Sequence, residues 1–114
     1  MQYRIIKTDK GCGENSFLIV FSNKKYTMLT EFFSMEVTPY YDIIVNIIEE
    51  VLDDVRTDDY YAGNQFEMEI GKEYTIIRDL TEEERSVKIR TKALLHLANQ
   101  YAEWISTKDC DYYG

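Results

Sequence analysis

The first part of the chain alternates between apolar and polar positions in a way that predicts three β-strands. β-rich runs at residues 3–7 and 16–22 are separated by KGCGEN, a turn-prone segment with two glycines. Residues 26–37 also show a period of two, but its phase slips between Met28 and Phe33. We therefore predict one further strand there, with a break or a bulge.

A helical periodicity follows. Thr38 and Pro39 are typical of a helix start, with threonine as the N-cap and proline at the first helical position, where its missing N–H costs nothing. Apolar residues then recur every three or four positions as far as Val55. This spacing predicts a helix from Thr38 to about Arg56.

Two alternating runs, QFEMEI and EYTIIRDL, flank Gly71 and Lys72 and predict a β-hairpin. A two-residue loop and a longer one place different residues opposite Met68, so both registers stay open.

The last element is predicted as a long helix that begins at Thr81. TEEE at residues 81–84 has the form of a capping box, because Thr81 can accept from the third helical N–H and Glu84 can reach back. The helix extends to about Ser106. Its apolar stripe consists of Val87, Leu94, Leu97, Ala98, Tyr101 and Ile105.

These elements predict an α+β fold in a single domain of residues 1–114. The predicted order is β-β-β-α-β-β-α, with two helices packed on an antiparallel sheet of about five strands. A chain of 114 residues is long enough to bury roughly two-thirds of its unfolded surface.

Charge changes the picture, because the acidic residues are concentrated in one segment. The formal net charge of the chain is −8, and residues 41–70 alone carry a net −8, with nine acidic side chains against Arg56. Such a concentration favours a basic partner. It argues against nucleic acid or an anionic membrane as the partner, since both are negatively charged.

The first predicted helix carries its acids where they are unfavourable. Asp53 and Asp54 fall in its last turn, where the helix dipole disfavours anions by roughly 0.3–1 kcal/mol each. Glu49 and Glu50, one turn earlier, form like-charged pairs with them that cost about 0.2–0.5 kcal/mol per pair. Folding alone would favour lysine at several of these positions. A solvated face that keeps the protein soluble is the alternative interpretation.

Tyr60 and Tyr61 follow these acids directly, in a predicted loop. Tyrosine supplies a large contact area with few torsions to fix, although either ring can instead pack into the core. We predict a surface in which carboxylates steer a basic protein and tyrosines anchor it. Its residues are Glu49, Glu50, Asp53, Asp54, Asp58, Asp59, Tyr60, Tyr61, Glu67 and Glu69.

No motif predicts a catalytic residue, a metal site or a cofactor. The DxDxDG spacing of a calcium loop is absent, and carboxylates on a solvated helix lack the cleft that would separate their pKa values. His96, the only histidine, falls on the polar face of the last helix. An enzyme that uses the Cys12 thiol is disfavoured, because only Lys10 offers a basic neighbour. We therefore predict a protein that is not an enzyme.

The ends of the chain predict a cytoplasmic location. Residues 1–8 contain no apolar signal segment, and no apolar run is long enough to cross a membrane. Cys12 and Cys110 are isolated from each other, which is more typical of reduced thiols than of a disulfide framework. We expect a monomer or homodimer before the partner binds.

EEVLDD and DDYY in a small acidic chain resemble the immunity proteins of bacterial toxin systems, including those of contact-dependent growth inhibition. The likeness covers mainly residues 41–61. Colicin-type nuclease immunity proteins share the acids and paired tyrosines but are all-helical, so the resemblance is to the wider class. It implies tight one-to-one binding of a cognate toxin domain, often a basic nuclease. The alternative is a self-associating structural or accessory assembly protein, with Trp104 or tyrosines at the contact.

Overall fold

A short antiparallel hairpin comes first in the computed structural model, which describes residues 2–7, 17–82 and 84–107. Strand β1 (Tyr3–Lys7) pairs with β2 (Phe17–Phe21), so that Ile5 lies opposite Ile19. Both isoleucines are buried in the core. The first two predicted strands are confirmed, and the KGCGEN turn lies outside the described residues.

The prediction of a third strand at residues 26–37 was wrong. A 3₁₀ turn (Lys24–Tyr26) leads into helix α1 (Thr27–Phe32) and a π-helical stretch (Phe33–Val37). The buried positions Met28 and Phe32 are four residues apart, as on one face of a helix. Burial of this face overrides the strand preference of its aromatic residues.

The next helix, α2 (Thr38–Leu52), continues directly from the π-helical stretch. Thr38 is therefore not an N-cap, contrary to the prediction, and its hydroxyl donates to the carbonyl oxygen of Phe33 at 2.9 Å. Pro39 has no N–H to donate, and the backbone leaves helical geometry at the next residue, Tyr40 (φ −124°, ψ 31°). The helix ends four residues before the predicted Arg56.

Four strands follow and form an antiparallel sheet in the order β3-β4-β5-β6. They are β3 (Asp58–Ala62), β4 (Phe66–Gly71), β5 (Tyr74–Asp79) and β6 (Ser86–Arg90). The predicted hairpin is β4–β5, and Met68 lies opposite Ile77. Its two-residue turn consists of Lys72 and Glu73, one residue later than the predicted Gly71 and Lys72, because Gly71 still belongs to β4. The loop predicted at DDYY is instead the edge strand β3, which pairs with β4.

Thr81 does not begin a helix, contrary to the capping-box prediction. Its N–H and hydroxyl donate to Asp79 Oδ1 at 2.8 and 2.7 Å, which shapes the turn between β5 and β6. Arg85 Nη1 donates to the same carboxylate, and these contacts hold the pKa of Asp79 below its ordinary value, the Thr81 hydroxyl contributing most. The final helix, α3 (Thr91–Thr107), starts ten residues later than predicted. Its stripe is buried at Leu94, Leu97, Ala98 and Tyr101.

The four-stranded sheet has helices on one face. Phe66 and Met68 of β4 and Ile77 of β5 are buried on that face, together with Phe32 and Tyr101 of the helical segments. Alternate residues point to the opposite face, which we call the outer sheet face. The α+β class is confirmed, but the six strands of the described residues form separate sheets of two and four strands rather than one. No helix in the described part of the chain is both long and apolar enough to cross a membrane.

Candidate functional site

The predicted binding residues lie on two surfaces rather than one. The first, the helix-end surface, surrounds the C-terminus of α2 and the start of β3, and consists of Glu49, Glu50, Asp53, Asp54 and Asp59. The second is part of the outer sheet face and consists of Asp58, Tyr60, Glu67 and Glu69. Tyr61 belongs to neither surface, since it points to the helical side of the sheet.

Helix α2 ends in a Schellman arrangement. The N–H of Val55 donates to the carbonyl oxygen of Glu50 at 2.9 Å, and the N–H of Asp54 donates to that of Val51 at 3.3 Å. This places Asp54 in the left-handed region, with φ 62°. Lys72, in the β4–β5 turn, forms an ion pair with the Asp54 carboxylate.

Replacing Asp54 with glycine is expected to raise the free energy of unfolding by about 0.5–1 kcal/mol, because glycine adopts the left-handed conformation without strain. The ion pair lost with Lys72 is exposed, with 61% and 72% of the two side chains accessible, so it contributes less. Urea denaturation would measure the change. Asp54→Ala is the control, since it loses the ion pair but keeps the strain and should be less stable than wild type. A less stable Asp54→Gly would show that the ion pair outweighs the strain.

Part of the helix-end surface is neutralised within the chain. Arg56 Nε lies 2.8 Å from Glu50 Oε2 and 3.5 Å from Asp59 Oδ2. Asp54 has Lys72 beside it. These three carboxylates therefore attract a partner less strongly than their formal charge suggests.

Other acids on α2 have no cation within 4 Å among the described residues. Asp42, Asn46, Glu49 and Asp53 are exposed and recur at helical spacing along one side of α2. We call these four residues the acidic stripe. Asp42 is missing from the predicted set, because it lies near the start of the helix and the predicted set begins in its last turns. Its one-turn spacing from Asn46 is the signal that would have included it.

Tyr41 lies beside the acidic stripe and packs against α3. Its hydroxyl donates to Asn99 Oδ1 of α3 at 2.7 Å. Burial raises the pKa of Tyr41, and the carboxylates of Asp42 and Glu49 raise it further. Both carboxylates therefore lie close enough to Tyr41 to oppose ionisation of its hydroxyl.

The predicted tyrosine anchors point to opposite faces of β3, as successive strand residues do. Tyr60 points to the outer sheet face. It is 51% exposed there, and its hydroxyl donates a hydrogen bond to Glu67. Tyr61 is half-buried on the helical side, and its hydroxyl donates to Glu36 Oε1 at 3.2 Å. Of the two, Tyr60 has the more accessible ring.

Glu36 is the most unusual residue that sequence reasoning missed. It is completely buried in the π-helical stretch, and its Oε2 accepts the N–H groups of Gln65 at 3.0 Å and Phe66 at 3.1 Å. Together with the Tyr61 hydroxyl, these N–H groups give the carboxylate three hydrogen-bond donors. The hydrogen bonds connect the β3–β4 turn to the π-helical stretch. Gly63 in that turn leaves the necessary space, since a Cβ there would overlap the carboxylate.

Tyr61 makes the folded state less stable in alkali. Burial raises its pKa above the ordinary value of 10.0, and the nearby Glu36 carboxylate raises it further. Above about pH 10 the unfolded chain loses this proton while the folded chain keeps it, so stability falls as the pH rises.

We expect Tyr61→Phe to lose less stability than wild type between about pH 9 and 11, because it has no such proton. At neutral pH the variant should be less stable by about 1 kcal/mol through loss of the hydrogen bond. Urea denaturation at each pH measures both effects. Parallel stability curves for the two proteins would contradict the assignment.

The described residues offer few groups for other chemistry. His96 is exposed on α3, as are Lys92 and Glu103 on the same side of the helix. No cluster of three or more histidine, cysteine, aspartate or glutamate side chains within residues 2–7, 17–82 and 84–107 is arranged to hold a metal ion. Cys12 lies outside the described residues.

Comparison with known proteins identifies no relative. Neither a family model, nor a curated protein, nor a solved structure matches the chain.

Proposed function

We propose that this protein is a cytoplasmic, non-catalytic inhibitor that binds a basic protein through the acidic stripe and the adjoining helix-end surface. The observation that carries this proposal is the row of exposed carboxylates without a neighbouring cation in the described residues. Asp53 is at the C-cap and Glu49 is in the last turn, where the helix dipole adds an unfavourable contribution.

Most other acids in the described residues lie within 4 Å of a cation, although the exposed Asp58 and Glu84 do not. Glu69 Oε1 lies 3.0 Å from Arg78 Nη1, and Asp79 Oδ2 lies 2.9 Å from Arg85 Nη1. The stripe has no comparable partner among the described residues, although a lysine at one of its positions would favour folding. A basic partner would supply the missing positive charge.

The kind of partner we propose is a toxin domain, as in the immunity proteins that the sequence resembles. A nuclease suits the stripe, because its substrate groove is basic in order to hold phosphates. Carboxylates one helical turn apart would occupy that groove in place of the phosphates. Because opposite charges steer the encounter, the association rate should fall tens-fold between dilute and physiological salt.

The test is a pull-down from the native cytosol with immobilised wild type and with Asp53→Lys. We expect wild type to retain a basic protein that elutes with salt. Asp53→Lys should bind that protein at least about tenfold more weakly, because it replaces an attractive charge of the acidic stripe with one that repels a basic surface.

The matched control is Glu84→Lys, which makes the same charge change at an exposed residue of the β5–β6 turn. That turn lies at the opposite end of β5 from Lys72, and so away from the helix-end surface. The control should bind like wild type, and circular dichroism should show both variants folded. Equal retention by Asp53→Lys and wild type would remove the acidic stripe from the interface.

A further inference from the structure

The outer sheet face is divided into an acidic and a basic half. Strands β3 and β4 present Asp58, Tyr60, Glu67 and Glu69, whereas β5 and β6 present Tyr74, Ile76, Arg78, Lys88 and Arg90. Three acids and three bases leave the face without net charge. Arg78 pairs with Glu67 and Glu69 at its centre, at 3.7 and 3.0 Å, so the charges not paired with another residue of this face are Asp58 on one side and Lys88 and Arg90 on the other.

Aromatic side chains are exposed on both halves. Tyr60 is 51% and Tyr74 36% exposed, while the helices pack against the other side of the sheet. Lys88 Nζ and the Arg90 guanidinium lie 4.5 and 5.3 Å from the centroid of the Tyr74 ring. Each exposed tyrosine ring on this face therefore lies beside charged groups, cations at Tyr74 and a carboxylate at Tyr60. The outer sheet face thus offers both polar and apolar contact area.

We infer that the outer sheet face is a homodimer interface, in which a second copy of this chain packs its own outer sheet face against it. A two-fold axis parallel to the strands, between β4 and β5, places the acidic half of each copy over the basic half of the other. A two-fold axis across the strands would instead place acid over acid. The charge pattern therefore selects a face-to-face dimer with aligned strands.

The strand register gives this arrangement specific contacts. Asp58 and Arg90 lie at opposite ends of one cross-strand row, with Gly71 and Tyr74 between them. The two-fold axis brings Asp58 of one copy over Arg90 of the second. It also brings Tyr74 over Gly71, which has no side chain to exclude the ring.

The size of the face sets the strength of the dimer. Four strands about 4.8 Å apart and five to six residues long make a face of roughly 15–20 Å on each side. Such a face covers about 230–400 Å² per copy, which is smaller than a standard specific interface, so we expect a weak, transient dimer that dissociates in the high-micromolar range. This interface uses residues separate from the acidic stripe, and it assigns Tyr60, Glu67 and Glu69 to the second copy rather than to a toxin.

The test measures mass by sedimentation velocity of the full chain over about 1–500 μM, a range that brackets micromolar dissociation. One variant reverses the acidic half (Asp58→Lys with Glu69→Lys), and another reverses the basic half (Lys88→Glu with Arg90→Glu). We expect wild type to shift from monomer to dimer, and each variant to dissociate at least about tenfold more readily. An equimolar mixture of the two variants should restore a dimer, because the signs then match again.

Two further measurements distinguish loss of the dimer interface from unfolding and from a general effect of charge. Circular dichroism and thermal unfolding of each variant establish that it is folded, and heterodimer formation in the mixture does so independently. Glu49→Lys with Asp53→Lys reverses the same number of acids on the acidic stripe and should leave the dimer unchanged. Wild type that stays monomeric at the highest concentration, or a dimer that both reversals leave intact, would overturn the inference. Either result would leave the acidic stripe proposal standing.

Discussion

Replacing Glu36 with alanine is expected to lower the free energy of unfolding by about 3–5 kcal/mol, a loss typical of breaking a buried polar network. The substitution removes the acceptor for the N–H groups of Gln65 and Phe66 and for the Tyr61 hydroxyl. A buried donor left without an acceptor costs about 1–3 kcal/mol. The empty space left by the missing side chain adds to the loss.

Glu36→Gln is the control, because it keeps the size of the side chain and one carbonyl oxygen for the two backbone N–H groups. We expect it to lose only about 1–2 kcal/mol, mainly through the altered contact with Tyr61. Urea denaturation of the three proteins measures the series. Equal losses for Ala and Gln would show that the negative charge, rather than the acceptor geometry, stabilises the turn.

Replacing Gly63 with alanine is expected to cost about 2–3 kcal/mol in the free energy of unfolding, the upper part of the range for forcing an extra carbon into a packed site. The added Cβ would overlap the Glu36 carboxylate. That carboxylate is held by its three donors, so it cannot move without losing hydrogen bonds. Thermal and urea unfolding of Gly63→Ala measure the cost.

A double-mutant cycle separates this clash from a general effect on the turn. In a Glu36→Ala background, Gly63→Ala should cost less than about 1 kcal/mol, since the side chain that it meets is gone. Additive losses in the double variant would instead place the strain in the backbone of the β3–β4 turn.

Local pattern was sufficient for some elements and insufficient for others. The β4–β5 hairpin follows from clean alternation around a short turn, and both predicted runs form strands. The apolar side chains of residues 26–37 fit both a strand, with a period of two, and one face of a helix. The segment is helical because that arrangement buries most of them in the core. Val87 likewise fits the stripe of α3, although it belongs to β6. Strand β3 has no alternating apolar pattern, and its pairing with β4 defines it.

The candidate site shows the same limit. The concentration of acids is visible in the sequence, and the structure places most of them at the end of α2 or on β3 and β4. The sequence does not indicate which of these acids form ion pairs. Asp54, for example, pairs with Lys72, which is 18 positions away in the chain. The burial of Glu36 also depends on distant partners, since Gln65 and Phe66 come from another part of the chain.

The edge strand β3 has a consequence for solubility. An exposed strand edge invites further strands to add, which leads to aggregation, and charge on the edge is one protection against it. Asp59 Oδ1 accepts the N–H of Tyr60 at 2.8 Å, so this backbone donor already has a partner within its own strand. Arg56 lies 3.5 Å from the same carboxylate and helps to hold it in place. We therefore expect Asp59 to oppose the addition of a further strand at this edge.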